Sequence, residues 1–268
     1  MSADTISPTP RMLAQVEGAL GWMVFNNAGK RNALSLDMWA AIPAILDRFE
    51  RDPMVRVVVL RGAGEEAFIS GADISQFGEH RDNRAANAVY SGHSAAATRA
   101  MVGLSKPSIA MIRGFCIGGG MAVALTCDLR ICSDDSRFGI PAARLGLGYA
   151  FDGVKALSDL VGPSFAKEVL FTARHFDAGE AAAMGLVNKV VAVDALEATV
   201  RAYADQIGQN APLTVKAAKM AVREALKDPE RRKLDEVTAA VDACFQSADY
   251  AEGRKAFMEK RRPAFQGR

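Results

Sequence analysis

Apolar and polar positions alternate along this chain in two different periods. "MLAQVEGALGWMVFNN", starting at Met12, has the short-range alternation and turn residues of two brief strands joined through Glu17-Gly18 and Gly21. "SLDMWAAIPAILDRFERD" follows with Trp39, Ile42, Ile45, Leu46 and Phe49 at helical spacing, and Ser35 stands where an N-cap belongs. "VRVVVLRG" is a continuous β-branched run that predicts a buried strand ending at Gly62. "PSIAMIRG", ending at Gly114, repeats it, and "DLRICSDD" and "LVNKVVAV" predict two more strands. Helix starts are marked by Asp177 with Glu180 and by Asp194 with Glu197, both in capping-box spacing, and Gly185 and Gly208 mark the ends. Alternating strands and helices predict an α/β chain, with no fixed-period repeat.

The pattern changes after about residue 205, where "APLTVKAAKMAVREALKD" and "EVTAAVDACFQSADYAEGRKAFMEKRR" are helical in period and no strand run occurs. Three regions are therefore expected: a loose Ser/Thr/Pro-rich start at 1–11, a core at 12–205 and a helical appendage at 206–268. The basic end, Arg254 to Arg262, reads as a solvated helix face or a phosphate contact. With 268 residues, half of them hydrophobic, the chain can bury a large core. A net charge of +2 gives no reason to expect nucleic acid or an anionic membrane as partner. The four cysteines show no CxxC spacing and the three histidines are scattered, which argues against a zinc site or a disulfide framework and for a reducing cytoplasm. No signal peptide and no run of eighteen apolar residues is legible.

Candidate chemistry begins at "IRGFCIGGGMAVALTCD", where Gly118 to Gly120 open an apolar stretch. Glycine disfavours a helix interior by about 1 kcal/mol relative to alanine, so bare backbone must be needed there. A phosphate loop fails, because no Lys-Ser/Thr follows Gly120, and GxGxxG is absent; "GLGYAFDG" has only GxG. A second turn, "FISGADISQF", also follows a strand and opens a helix-like stretch. Two such turns could converge their N–H groups on one oxyanion, where a lost donor costs about 100- to 1000-fold in rate and a helix dipole adds to the field. Close packing of helix on strand explains the same glycines equally well.

Taken together, the motifs resemble the crotonase, or enoyl-CoA hydratase/isomerase, superfamily. "RNALS" resembles its loop after the first hairpin, "FISGADI" its first oxyanion turn, and "KPSIAMIRGFCIGGGMAVALTCDLRICSDDSRFGIPAARLGL" its core signature. "LFTARHFDAGEAAAMGLVNKVV" and "FMEKRRPAF" extend the likeness to about residues 13–266. The resemblance implies a spiral of ββα turns with a helical C-terminal domain, assembled as a trimer or dimer of trimers. It implies an acyl-CoA thioester substrate, with coenzyme A as part of that substrate and no separate cofactor. The oxyanion donors would be Ala72 and Gly119. Asp73 and Ile74 would lie along the pantetheine and adenine pocket, Arg31 and Ala33 near the nucleotide end, and Gly118 and Pro141 among the substrate-binding positions. Phe257 and Lys260 match positions that reach coenzyme A from a neighbouring subunit, and Asp128 has a structural place.

The chain departs from the hydratase pattern where two glutamates should stand. "GGGMA" and "FGIPA" put Ala122 and Ala142 at those positions. Each positioned acid or base contributes about 100- to 10,000-fold, so efficient hydration by that route is not expected. Asp152, in "LGLGYAFDGVKAL", is the candidate replacement, although beside Gly153 it could equally cap the next helix. Tyr149 reads as a packing or hydrogen-bonding phenol, and Arg144 as a surface ion pair or a partner for an acyl carboxylate. Glu79, His80 and His93 fall in the wall of the acyl pocket that the resemblance implies, and His175 reads as structural. Two readings follow: an enolate enzyme, isomerase or other, or a silent acyl-CoA binder on the same scaffold.

Overall fold

The computed structural model describes residues 6–73 and 84–268. Strand β1 (Ile6–Thr9) precedes the hairpin of β2 (Met12–Glu17) and β3 (Leu20–Phe25), which pair antiparallel from Met12 opposite Phe25 to Glu17 opposite Leu20. The expected loose start is therefore corrected for residues 6–9. They add an edge strand to β2, tied down where Thr9 Oγ1 donates to Asp37 at 2.5 Å. The turn is made by Gly18, at φ +58°, and not by Gly21, which lies inside β3. A β-carbon on Gly21 would stand 3.0 Å from both Phe49 and Val55, so this glycine makes room for core side chains.

Helix α1 (Leu36–Arg51) buries Met38, Trp39, Ala41, Ile42, Ile45, Leu46 and Phe49, the face its spacing predicted. Ser35 occupies the N-cap position, but its hydroxyl donates to the Asp37 carboxylate and makes no capping bond. From here the chain repeats one manoeuvre. A longer strand joins a large sheet, a short strand joins a smaller one, and a helix follows. The long strands are β4 (Val57–Gly62), β6 (Ser108–Ile112) and β8 (Leu129–Ser133); the short ones are β5 (Ala67–Ile69), β7 (Phe115–Ile117) and β9 (Arg137–Gly139). Helices α2 (Arg84–Gly103), α3 (Gly119–Thr126) and α4 (Phe151–Thr172) complete the turns, with α4 broken at Gly162, before Pro163. After β10 (Phe176–Asp177) and α5 (Ala178–Ala183), β11 (Lys189–Val191) closes the large sheet. Its order is β1-β2-β3-β4-β6-β8-β11, parallel from β3 onward, and the small sheet runs β10-β9-β7-β5. This is the mixed α/β spiral that the resemblance implied.

Alternation along β4 divides the core. Val58 and Leu60 face α1 and the small sheet, while Val57 and Val59 face the opposite layer with Trp22, Ile109 and Ile131. That layer is covered by Leu196, Val200 and Ala204 of α6 (Leu196–Gly208). Asp177 and Glu180 form the expected capping box, at 2.8 and 3.0 Å. Asp194 and Glu197 do not. A short 3-10 turn over Val193–Ala195 makes Ala195 the N-cap of α6, and Glu197 pairs with Arg201 and Arg61 instead.

The C-terminal helices are α7 (Pro212–Ala225), α8 (Leu234–Phe245) and α9 (Ala248–Met258). Lys219 of α7 fastens them to the core, with Nζ 2.7 Å from the Asp128 carboxylate and 2.8 Å from the Lys106 carbonyl oxygen. Asp128 also accepts from the Ser108 N–H and hydroxyl, so its place is structural. A hollow of about 830 Å³ opens between these helices, lined by Phe245, Tyr250, Phe257, Met258 and Phe265 among others. No helix among the described residues is long and apolar enough to cross a membrane.

Candidate active site

The two glycine turns meet. A β-carbon on Gly118 would lie 3.9 Å from Cα of Gly71 and 3.9 Å from Cδ of Pro141. One on Gly119 would lie 3.5 Å from the carbonyl carbon of Gly71 and 3.1 Å from Cδ1 of Leu34. The first turn follows β5 and carries Gly71, Ala72 and Asp73; the second follows β7 and opens α3. Two demands account for the triplet. Gly118 holds φ +53°, which disfavours a side chain. Gly120 faces β5 so closely that a β-carbon would stand 2.2 Å from the Ile69 carbonyl oxygen. A backbone conformation that favours glycine at Gly118 and close packing at Gly120 thus lie two residues apart in one triplet.

The N–H groups of Ala72 and Gly119 donate to no acceptor among the described residues. Gly119 is the first residue of α3, where backbone donors lack intrahelical partners and the helix dipole is positive. The "RNALS" loop fixes the facing turn. The Leu34 N–H donates to the Gly71 carbonyl at 2.8 Å, and the Asp73 N–H to the Leu34 carbonyl at 2.9 Å. Asn32, fully buried, donates from Nδ2 to the carbonyls of Ala63 and Ala67. Leu34 and Asn32, the apolar and amide members of "RNALS", are parts of the site that no local sequence pattern marks.

Arg31 and Ala33 belong to the same loop. Arg31 adopts φ +50°, pairs with Glu66 at 2.8 Å and places its guanidinium 5.2 Å from the Phe115 ring centre; Ala33 is buried. Asp73 is buried and lies 2.8 Å from Lys30 Nζ. Ile74, Glu79 and His80 lie outside the described residues. Pro141 opens a short 3-10 turn, Pro141–Leu145, that the Gly118 N–H ties in through the Gly139 carbonyl at 2.8 Å.

Ala122 stands one turn into α3 and Ala142 in the 3-10 turn, both half-buried. Ala72, Ala142 and Tyr149 all pack against the main core cluster. Asp152 is exposed in the first turn of α4, where Ala150 is the N-cap, so the capping alternative for Asp152 is not what the structure adopts. It has no ion-pair partner among the described residues. Burial pushes the Tyr149 phenol up to about 12, and the nearby Cys116 thiol adds to the shift. Arg144 is exposed and makes no ion pair among the described residues. His93 is half-buried on α2, and His175 is exposed with its ring edge-on to Phe115 at 6.2 Å. Phe257 and Lys260 sit elsewhere, at the end of α9, where Phe257 is 86% exposed beside the C-terminal hollow.

The profile of a family described as enoyl-CoA hydratase/isomerase matches residues 15–268. A short-chain-enoyl-CoA hydratase of Clostridium acetobutylicum is 36% identical over 251 residues, 94% of this chain and 95% of that protein. A carnitinyl-CoA dehydratase of Proteus mirabilis is 36% identical over 243 residues, 89% of this chain and 92% of that one. Among solved structures, an enoyl-CoA hydratase/carnitine racemase from Magnetospirillum magneticum superposes with a TM-score of 0.90 at 35% identity, covering 97% of each chain.

Proposed function

Because this chain belongs to the enoyl-CoA hydratase/isomerase family and is an enzyme of it, we propose that it works on an acyl-CoA thioester through an enolate, and that it migrates double bonds rather than hydrating them efficiently. The observation that carries this is the meeting of two turns whose N–H groups, at Ala72 and Gly119, have no acceptor among the described residues, while both acid positions are alanine. Two N–H donors aimed at a thioester oxygen stabilise the charge that builds there when a proton leaves the α-carbon. Such stabilisation needs no glutamate. Adding water across a double bond does need a group to activate the water and one to deliver the proton, and the alanine side chains can do neither.

In this reading Asp152 is the carboxylate that moves the proton, Arg31, Ala33, Asp73 and Ile74 flank the coenzyme A, and Gly118 and Pro141 border the thioester. Coenzyme A arrives as part of the substrate and no further cofactor is required. Phe257 and Lys260 would meet coenzyme A from a neighbouring subunit of a trimer or dimer of trimers, and the apolar surface of α7–α9, with Phe245 61% and Phe257 86% exposed, supports such an assembly. Four cysteines, all without disulfides, suit the reducing cytoplasm.

The test is a direct comparison of crotonyl-CoA hydration with double-bond migration in a 3-enoyl-CoA. Migration well above hydration supports the proposal, and hydration at the faster rate overturns it. The second reading, a silent acyl-CoA binder, rests on the same Ala122 and Ala142 and predicts tight binding with neither reaction.

A further inference from the structure

Tyr149 leads into α4 with a phenol that no described residue uses. Its ring lies against Gly153, where a β-carbon would come within 2.7 Å of Cε1, so the glycine leaves room for the ring and fixes where it lies. The body of the ring packs on the main core cluster. The hydroxyl has no hydrogen-bond partner among the described residues, and Tyr149 as a whole is half-buried. Burying most of a phenol while leaving its hydroxyl unpaired forfeits hydrogen-bond energy, and a group on a substrate is a natural partner for it. Cys116, close enough to act on the phenol, is in β7, two residues before the Gly118 turn. Asp152 stands three residues further along the chain, in the first turn of α4.

We propose that Tyr149 is a second catalytic residue, the acid that completes double-bond migration by protonating the γ-carbon of a dienolate that Asp152 has generated. The proposal rests on the enolate reading above. The Asp152 carboxylate takes a proton from the α-carbon of a 3-enoyl thioester. The electron pair of that C–H bond moves into the conjugated system, and the charge settles on the thioester oxygen between the Ala72 and Gly119 N–H groups. The Tyr149 hydroxyl gives its proton to the γ-carbon, the double bond comes to rest between the α- and β-carbons, and the carbonyl reforms. The phenolate recovers a proton from the Asp152 carboxylic acid through water, which restores both groups. No oxidant or reductant enters, and the proton count closes. A phenol is protonated at neutral pH, the state a donor needs, whether or not burial raises it.

The experiment follows a 3-enoyl-CoA in D₂O by NMR, reading α-deuteration and migration separately, with wild type, Tyr149→Phe, Gly153→Ala and Asp152→Asn. Tyr149→Phe should keep α-deuteration and lose migration by about 100-fold or more. Gly153→Ala retains the phenol but displaces its ring, and should show the same split even though alanine favours the helix. Asp152→Asn should lose both readings. That split separates a proton donor from a residue that only supports the fold. Migration at the wild-type rate in Tyr149→Phe overturns the proposal, as does an equal loss of both readings. A wild type that deuterates but never migrates the bond overturns the role of Tyr149 and leaves the enolate site standing. A wild type that binds no acyl-CoA overturns the reading of the site as well.

Discussion

A β-carbon on Gly120 would stand 2.2 Å from the carbonyl oxygen of Ile69. The backbone of strand β5 thus lies directly against the first turn of α3, and this contact sets the distance between the two turns that carry Ala72 and Gly119. Gly120→Ala forces the helix away from the strand. Overpacking of this kind costs about 1–3 kcal/mol, although alanine by itself favours a helix by about 1 kcal/mol. Denaturant unfolding should show net destabilisation, and the displaced Gly119 N–H should lower turnover further. A variant as stable and active as wild type would mean that the contact does not set the geometry.

Ala122 and Ala142 have half-buried side chains on the two elements that border the glycine turns. The double variant Ala122→Glu with Ala142→Glu should therefore gain crotonyl-CoA hydration, by about 100-fold or more over wild type. Each single variant should gain less, because hydration uses two groups. The rate of loss of enoyl absorbance reads this. No gain in a folded double variant would show that the two positions do not face the reacting double bond.

The fold was legible where one element decides its own structure. The buried face of α1, the runs of β4 and β6 and the capping box at Asp177 each carry their periodicity or their cap within a few residues. Three-residue strands such as β5, β7 and β9 are too short to show a period, and only their pairing with one another makes them strands. The Asp194–Glu197 spacing misled because Arg201 and Arg61 take the Glu197 carboxylate, and a 3-10 turn moves the helix start by one residue. At the site, the glycines were visible as a need for bare backbone. That Gly71 and Gly118 come together depends on Leu34 bridging to Ala72, a contact across 38 positions that no local pattern encodes.

Cysteine chemistry gives an independent check of the core. Burial pushes the Cys127 and Cys132 thiols up to about 12, and raises Cys116 well above its ordinary value. Thiolate, the reactive form, is therefore scarce at all three at pH 8. Only Cys244 is partly exposed. A chromogenic disulfide reagent should titrate at most one thiol per chain in the native protein and all four after denaturation. Two or more fast thiols in the native state would contradict the buried placement of β7 and β8.

The central claim is that the Ala72 and Gly119 N–H groups stabilise an enolate on a bound thioester. The most direct measurement is hydrogen exchange at the α-carbon of a saturated acyl-CoA, such as butyryl-CoA, incubated with the wild-type protein in D₂O. A saturated chain can neither hydrate nor migrate a bond, so the readout isolates enolate formation. The account predicts deuterium at the α-carbon at a rate far above the buffer reaction, with Asp152→Asn reducing it. Tight binding of the thioester with no α-deuteration would contradict the account and leave a protein that holds acyl-CoA without activating it.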